Sequence, residues 1–117
     1  MPKNRSTSSP SYVSFRKGAI LILRYPAGQF TMMNRDLDVI SNTVDGTIVG
    51  RIGHNFPVTH IGIDHPLHSI LQSSDRYVIA YCGHDRDTLT HELLHAKYYL
   101  DARYRKRIQY EWEQLSP

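Results

Sequence analysis

Residues 76–100 read RYVIAYCGHDRDTLTHELLHAKYYL, and two periodicities meet inside this stretch. Arg76 to Cys82 is apolar, aromatic and β-branched, bounded by Ser73-Ser74-Asp75 and by Gly83, which predicts a strand. From Asp87 or Thr88, either of which suits a helix N-cap, the run TLTHELLHAKYYL contains no Gly or Pro. Leu89, Leu93, Ala96 and Leu100 recur on one stripe, so a helix with a single apolar side is expected. Asp101 is expected to end that helix and to cap a last one over 102–115. The apolar side of this last helix would be Ile108, Trp112 and Leu115.

Working outward, Gly18 to Arg24 (GAILILR) reads as a buried strand closed by the turn Tyr25-Pro26-Ala27-Gly28. Leu37, Ile40 and Val44 stand at helical spacing and predict a short helix. Asp45-Gly46 is a turn signal, and Thr47 to Ile52 alternates as a second strand should, with a third short strand expected at Thr59–Ile63. Residues 1–10 (MPKNRSTSSP) have the composition of a flexible tail, which leaves 11–117 as one domain. Strands first and helices last make the class α+β: an N-terminal sheet of about three to four strands, then the helix ending at Leu100 and a C-terminal helix.

Composition narrows the chemistry. A chain of 117 residues with 40% apolar content builds one modest core. One cysteine excludes an internal disulfide framework and a Cys-rich structural zinc site. The longest apolar run, Ala19 to Leu23, falls far short of the ~20 residues that span a bilayer. A soluble, intracellular protein with no membrane partner is therefore expected. The net charge of +3 is too small to define a nucleic-acid binder. Seven histidines beside three glutamates are the unusual feature.

His91-Glu92-Leu93-Leu94-His95 has the form H-E-x-x-H. Residues i and i+4 lie almost above one another on a helix, so both imidazoles can point at one metal ion. Glu92 is then angled toward water acidified by Zn²⁺, free to act as general base. A chain of this composition produces the pattern by chance about once in 100. Here it also sits within a helical run, and the leucine stripe lies opposite His91. The helix can bury its leucines while presenting both histidines to a cleft.

TLTHELLHA resembles the zinc-binding helix of the zincin metallopeptidases, and Tyr77–Cys82 is similar to the edge strand that lines their substrate cleft. The resemblance covers about residues 76–115 and is nearest to the minimal gluzincins. It implies a Zn²⁺-dependent peptidase acting on a peptide or protein substrate. The substrate would pair as an added strand beside Tyr77, Ile79 and Tyr81.

The gluzincin pattern takes its third ligand from a following helix, where only Glu111 and Glu113 are available. Antiparallel pairing after Asp101 sets residue 111 beside His91, so Glu111 is the first candidate and Glu113 the alternative. Asp101 falls at a metzincin ligand position, but Tyr98 stands where that pattern needs glycine, which favours a cap. His54, His60, His65, His68 and His84 are further candidates, each better read as an ordinary hydrogen-bonding loop residue. For the oxyanion of a tetrahedral intermediate, Tyr98, Tyr99, Tyr104, Arg105 and His84 are donors, with Tyr104 or Arg105 preferred. Two other functions fit the residues. One is an inactive zinc-binding zincin fold, against which the retention of Glu92 argues. The other is a nucleic-acid-associated binding module using ARYRKRIQYEW, where Arg and Lys alternate with aromatics.

Overall fold

The computed structural model describes residues 11–115, so the tail expected over residues 1–10 lies outside the described residues. Four strands form one mixed sheet: β1 (Val13–Lys17), β2 (Ile20–Tyr25), β3 (His54–Pro57) and β4 (Tyr77–Cys82), in the order β1-β2-β4-β3. β1 and β2 form an antiparallel hairpin, β2 and β4 run parallel, and β3 returns antiparallel along β4. Gly18 turns the hairpin with φ 57°, a left-handed value that suits a two-residue loop and costs glycine little. Among the described residues there are three α-helices, α1 (Phe30–Asp45), α2 (Arg86–Leu100) and α3 (Ala102–Leu115), and two short 3₁₀ turns. The α+β class and the four-strand sheet are as expected.

Strand alternation divides the sheet into two faces. Leu21, Leu23 and Tyr25 of β2, Phe56 of β3 and Val78, Ala80 and Cys82 of β4 pack with Met33, Leu37 and Ile40 of α1. Ile22, Tyr77, Ile79 and Tyr81 point the other way, against Ala96 of α2, flanked by Leu89, Leu93 and Leu100. The leucine stripe of α2 therefore buries as its spacing requires. β4 is covered on both faces and buried at all six positions, which explains its continuous apolar run.

That position corrects one expectation. β4 lies between β2 and β3, so it is an interior strand, and the edge beside α2 belongs to β3. Tyr77, Ile79 and Tyr81 are consequently core residues; Tyr77 and Ile79 are paired on both sides and Tyr81 with β2.

The strands expected at Thr47–Ile52 and Thr59–Ile63 do not form. Residues 46–53 make a loop in which Gly46 and Gly50 adopt φ 78° and 73°, and Val49 is 93% exposed. No partner strand is at hand for its alternating residues. The loop is tied down by buried Arg51, which donates to Asn42 Oδ1 at 2.9 Å and to the Gly46 carbonyl at 3.2 Å and pairs with Asp38 at 3.4 Å. The real strand, β3, comes earlier than expected, and a short 3₁₀ turn at Val58–His60 follows it. Its sequence His-Asn-Phe-Pro hides the alternation, because two of its four side chains are polar and both are buried or half-buried against partners.

α1 is longer than the short helix expected, and its inward side is Met33, Leu37, Ile40 and Ser41, while Val44 is exposed. α2 is capped by Asp85, not by Asp87 or Thr88. The Asp85 carboxylate accepts from Thr88 N at 3.0 Å and from Thr88 Oγ1 at 2.6 Å, bonds that hold its carboxyl below the usual carboxylate range. Asp101 ends α2 and caps α3 as expected, its Oδ1 accepting from the backbone N–H of Arg103 and of Tyr104, each at 3.0 Å. No helix among the described residues is long and apolar enough to cross a membrane.

Candidate metal centre

α2 lies with its leucine stripe on the sheet, so His91 and His95 turn to the opposite, exposed side. Their Nε2 atoms stand 3.2 Å apart, with the rings 4.8 Å between centroids and 71° between planes. Zinc–nitrogen bonds of about 2.0–2.1 Å at a tetrahedral angle would set two ligand nitrogens ~3.3 Å apart. The imidazole pair therefore fits a single divalent ion. The same spacing accommodates an N–H···N hydrogen bond between the rings when no metal is bound.

Glu92, one residue on, points sideways into the gap between α2 and β3 and is only 5% exposed. Its candidate ligand oxygen and the two imidazole nitrogens all lie within 4.8 Å of one another. Burial raises the affinity of its carboxyl for a proton above the ordinary value. The hydrogen bond from Asn55 and the neighbouring His91 and His95 oppose that rise. Asn55 Nδ2 donates to Glu92 Oε1 at 2.8 Å, and the Tyr77 hydroxyl donates to Asn55 Oδ1 at 2.6 Å. The Tyr77 phenol is itself held protonated, chiefly by burial and then by the charge of Glu92.

Gly53 completes this wall. A Cβ on it would collide with Glu92 Oε2 and stand 2.8 Å from Thr88 Cγ2, so only glycine leaves room for Oε2 itself. Asn55 and Gly53 were not singled out by sequence reasoning. The one signal for them is position: Asn55 lies in the edge strand and Gly53 directly precedes it, and the strands expected from the sequence fall on either side, at Thr47–Ile52 and Thr59–Ile63.

Two clefts meet at His91. One, of about 520 Å³, is bounded by the loop residues Ile48, Arg51, Ile52 and Gly53, by Asn55, and by Thr88, His91 and Glu92 of α2. The other, of about 380 Å³, lies between α2 and α3 and is lined by His91, Leu94, His95, Tyr98, Tyr104, Ile108 and Trp112. A larger cavity, of about 680 Å³, lies on the α1 side near Tyr12, Tyr25, Asp36 and His65. Three of its lining residues are tied to one another: the Tyr25 hydroxyl donates to Asp36 at 3.0 Å and His65 Nε2 bonds the Asp36 carbonyl at 2.8 Å.

Of the expected helpers, Tyr104 reaches the cleft that holds His91 and His95. Lys97 Nζ lies 4.4 Å from its ring centroid. Arg105 is committed elsewhere, donating at 2.8 Å to the carbonyls of Tyr98 and of Tyr99 at the end of α2. Tyr99 stacks on Tyr77 at 5.0 Å as a packing residue. Glu111 and Glu113 are not brought to the imidazoles. Among the described residues, the group of three or more potential ligands is His91, Glu92 and His95 alone. The side of α3 that faces α2 is Tyr104, Ile108 and Trp112, at spacing i, i+4, i+8. Trp112 thus takes the level at which pairing was expected to set Glu111, and both glutamates are exposed. Asp101 serves as a cap and stands outside the group.

The upstream histidines are engaged elsewhere or distant. His54 is buried at 1% exposure on the α1 face of the sheet, its Nδ1 2.6 Å from Ser41 Oγ and its Nε2 2.7 Å from Asn34 Oδ1. Burial, and then the charge of Arg51, lower its pKa to about 4, so it is neutral at pH 7. His60 lies 3.1 Å from Thr43 Oγ1, and His65 caps the 3₁₀ turn Pro66–Ile70 by accepting from Leu67 N at 3.0 Å. His68 and His84 are exposed and lie outside the ligand group. Cys82 faces α1, with Sγ 3.9 Å from Met33 Sδ, and is a buried small hydrophobe. No protein-family model, no curated protein and no solved structure matches this chain.

Proposed function

We propose that this chain is a zinc-dependent metallopeptidase in which His91 and His95 hold the metal and Glu92 is the general base. The observation that carries this reading is the pair of imidazole nitrogens 3.2 Å apart with a buried carboxylate beside them. Bound there, zinc would supply Lewis acidity, lowering the pKa of water and polarising a peptide carbonyl. Glu92 takes a proton from the attacking water and passes it to the leaving amine. A carboxyl whose proton affinity is raised by burial suits that double duty, since a base works best with a pKa near the working pH. Tyr104, in the cleft that holds His91 and His95, would donate toward the carbonyl oxygen as negative charge develops there. In this reading the two imidazoles are the protein ligands, and Glu111 and Glu113 are solvated charges on α3.

The substrate is an extended peptide or protein segment. The strand addition expected beside β4 transfers to β3, which is the sheet edge next to Glu92. Purified protein is expected to contain about one zinc per chain by elemental analysis. Peptide hydrolysis should stop on chelation and return with added zinc. Protein that neither carries zinc nor binds it when added overturns the reading.

A second reading rests on α3, which has no buried residue and carries Arg103, Lys106 and Arg107 near exposed Tyr110. Such a surface suits phosphate contact with base stacking by a nucleic-acid partner. A binding titration whose affinity falls steeply with salt supports it, and no binding at low salt removes it.

A further inference from the structure

Tyr77, Asn55 and Glu92 form a chain of hydrogen bonds across three elements. Tyr77 sits on β4 opposite Pro57, so its side chain lies diagonal to Asn55 on the face of the sheet that packs against α2. An ionised carboxylate only accepts hydrogen bonds, so the amide nitrogen of Asn55 must face Glu92 Oε1, at 2.8 Å. Asn55 Oδ1 then receives the Tyr77 hydroxyl at 2.6 Å. Reversing the amide would set its oxygen against the carboxylate, so Glu92 decides which way the amide faces. Tyr77, donating to Oδ1, then holds Asn55 at that angle, and Asn55 fixes one oxygen of Glu92.

The two oxygens of Glu92 consequently differ. Oε1 is occupied by the amide N–H. Oε2 sits against Gly53, in the room that the missing side chain leaves, on the wall of the cleft of about 520 Å³ lined by Gly53, Asn55, His91 and Glu92. We infer that Asn55 is a positioning residue, locked by Tyr77, that reserves Glu92 Oε2 as the oxygen that receives the proton of the attacking water. This rests on the peptidase reading above. Asn55 touches neither the metal ligands' nitrogens nor the reacting atoms, and acts only through Glu92. In outline the step is a proton transfer: water gives a proton to Oε2 as its oxygen bonds to the peptide carbon, and Oε2 returns that proton to the amine as the C–N bond breaks.

The test compares zinc-loaded wild type with Asn55→Asp, Asn55→Ala and Tyr77→Phe, measuring kcat, KM, zinc content and melting temperature on one peptide substrate. Asn55→Asp keeps shape and the acceptor for Tyr77 but replaces the donor, so its kcat should fall by roughly 10- to 100-fold with KM and zinc content unchanged. Tyr77→Phe should lower kcat several-fold in the wild-type background and add almost nothing to Asn55→Ala. The Asn55 side-chain amide signal in a ¹⁵N–¹H spectrum should move in Glu92→Gln and in Tyr77→Phe, which reads the chain of bonds without reference to turnover. Active wild type with an equally active Asn55→Asp overturns this inference alone, as does an amide signal indifferent to Glu92→Gln. Zinc-loaded wild type that hydrolyses no peptide overturns the peptidase reading, and the inference with it.

Discussion

His54 and the pair His91–His95 are the same side chain in opposite surroundings, although Asn55, the neighbour of His54 along β3, bonds to Glu92, which lies between the pair on α2. His54 faces α1, is almost fully buried, and has both ring nitrogens within hydrogen-bond distance of Ser41 and Asn34. With Nε2–H directed at Asn34 Oδ1, the ring is left to accept from the Ser41 hydroxyl, so it is complete without a ligand. His91 and His95 face away from the sheet, are exposed, and have their Nε2 atoms turned to each other. One imidazole is spent on holding two elements together, and the other two are presented together at a cleft. Burial separates these roles where residue type does not.

The largest effect that sharpens this contrast is on metal binding. His91→Ala and His95→Ala should each weaken zinc affinity by roughly 100-fold or more while leaving the melting temperature of the metal-free chain almost unchanged, because exposed side chains contribute little to folding. Isothermal titration with zinc and thermal melts on the same samples would read both. His54→Ala should do the reverse. It should cost about 3 kcal/mol of folding stability, since Ser41 and Asn34 lose their buried partner and a cavity opens. If His54→Ala instead abolished zinc binding with the fold intact, the division of roles would be wrong.

pH gives a second handle on the same contrast. The folded pKa of His54 is lowered to about 4, against an unfolded value near 6.5. The unfolded chain therefore binds the proton more readily, and the contribution of neutral His54 is complete above pH ~6.5. It is lost as pH falls toward about 4. At pH 5 the loss from this residue is ~2 kcal/mol. Urea unfolding of wild type and His54→Ala at pH 7 and pH 5 should show the wild type losing that much more than the variant. Equal losses would mean that His54 is not held neutral.

Gly53→Ala should act on the site and not on the fold. The added methyl meets Glu92 Oε2 and Thr88, so peptide hydrolysis should fall by roughly 10- to 100-fold, with zinc content kept. The smallest effect is expected at α3. Glu111→Gln and Glu113→Gln should change zinc affinity by less than about threefold, because neither carboxylate is among the ligand group. A large loss for either would restore that residue as third ligand and require α3 to approach α2 differently.

Much of the contrast was legible from spacing. The H-E-x-x-H pattern and the leucines around it determine that the imidazoles emerge on the side of α2 away from the core. Periodicity alone conveys this, because the helix has one apolar stripe. β4 was equally readable as a strand, but its neighbours were not. An apolar run states that both faces are covered and says nothing about which strand lies outside it; the resemblance to the zincin cleft implied an edge at β4, and the edge belongs to β3. β3 was missed because His54 and Asn55 are polar yet sit against partners supplied by Ser41, Asn34 and Glu92, all distant in sequence. The loop 46–53 misled in the opposite sense. Its alternation was read as a strand, but Ile48, Val49 and Ile52 are exposed and Arg51 is the residue turned inward. Glu111 lies outside the group of His91, Glu92 and His95, a placement that turns on helix register to within one residue. The inward stripe through Tyr104 and Ile108 continues at Trp112.

The most direct measurement is on Glu92→Gln, a change that keeps size and burial and removes the base. Zinc content and peptide hydrolysis would be determined on the same zinc-loaded samples of wild type and variant. The variant is expected to hold about one zinc per chain, as wild type does, with kcat lowered by at least ~10²-fold. A Glu92→Gln protein that hydrolyses peptide as fast as wild type would contradict the role of Glu92 as general base.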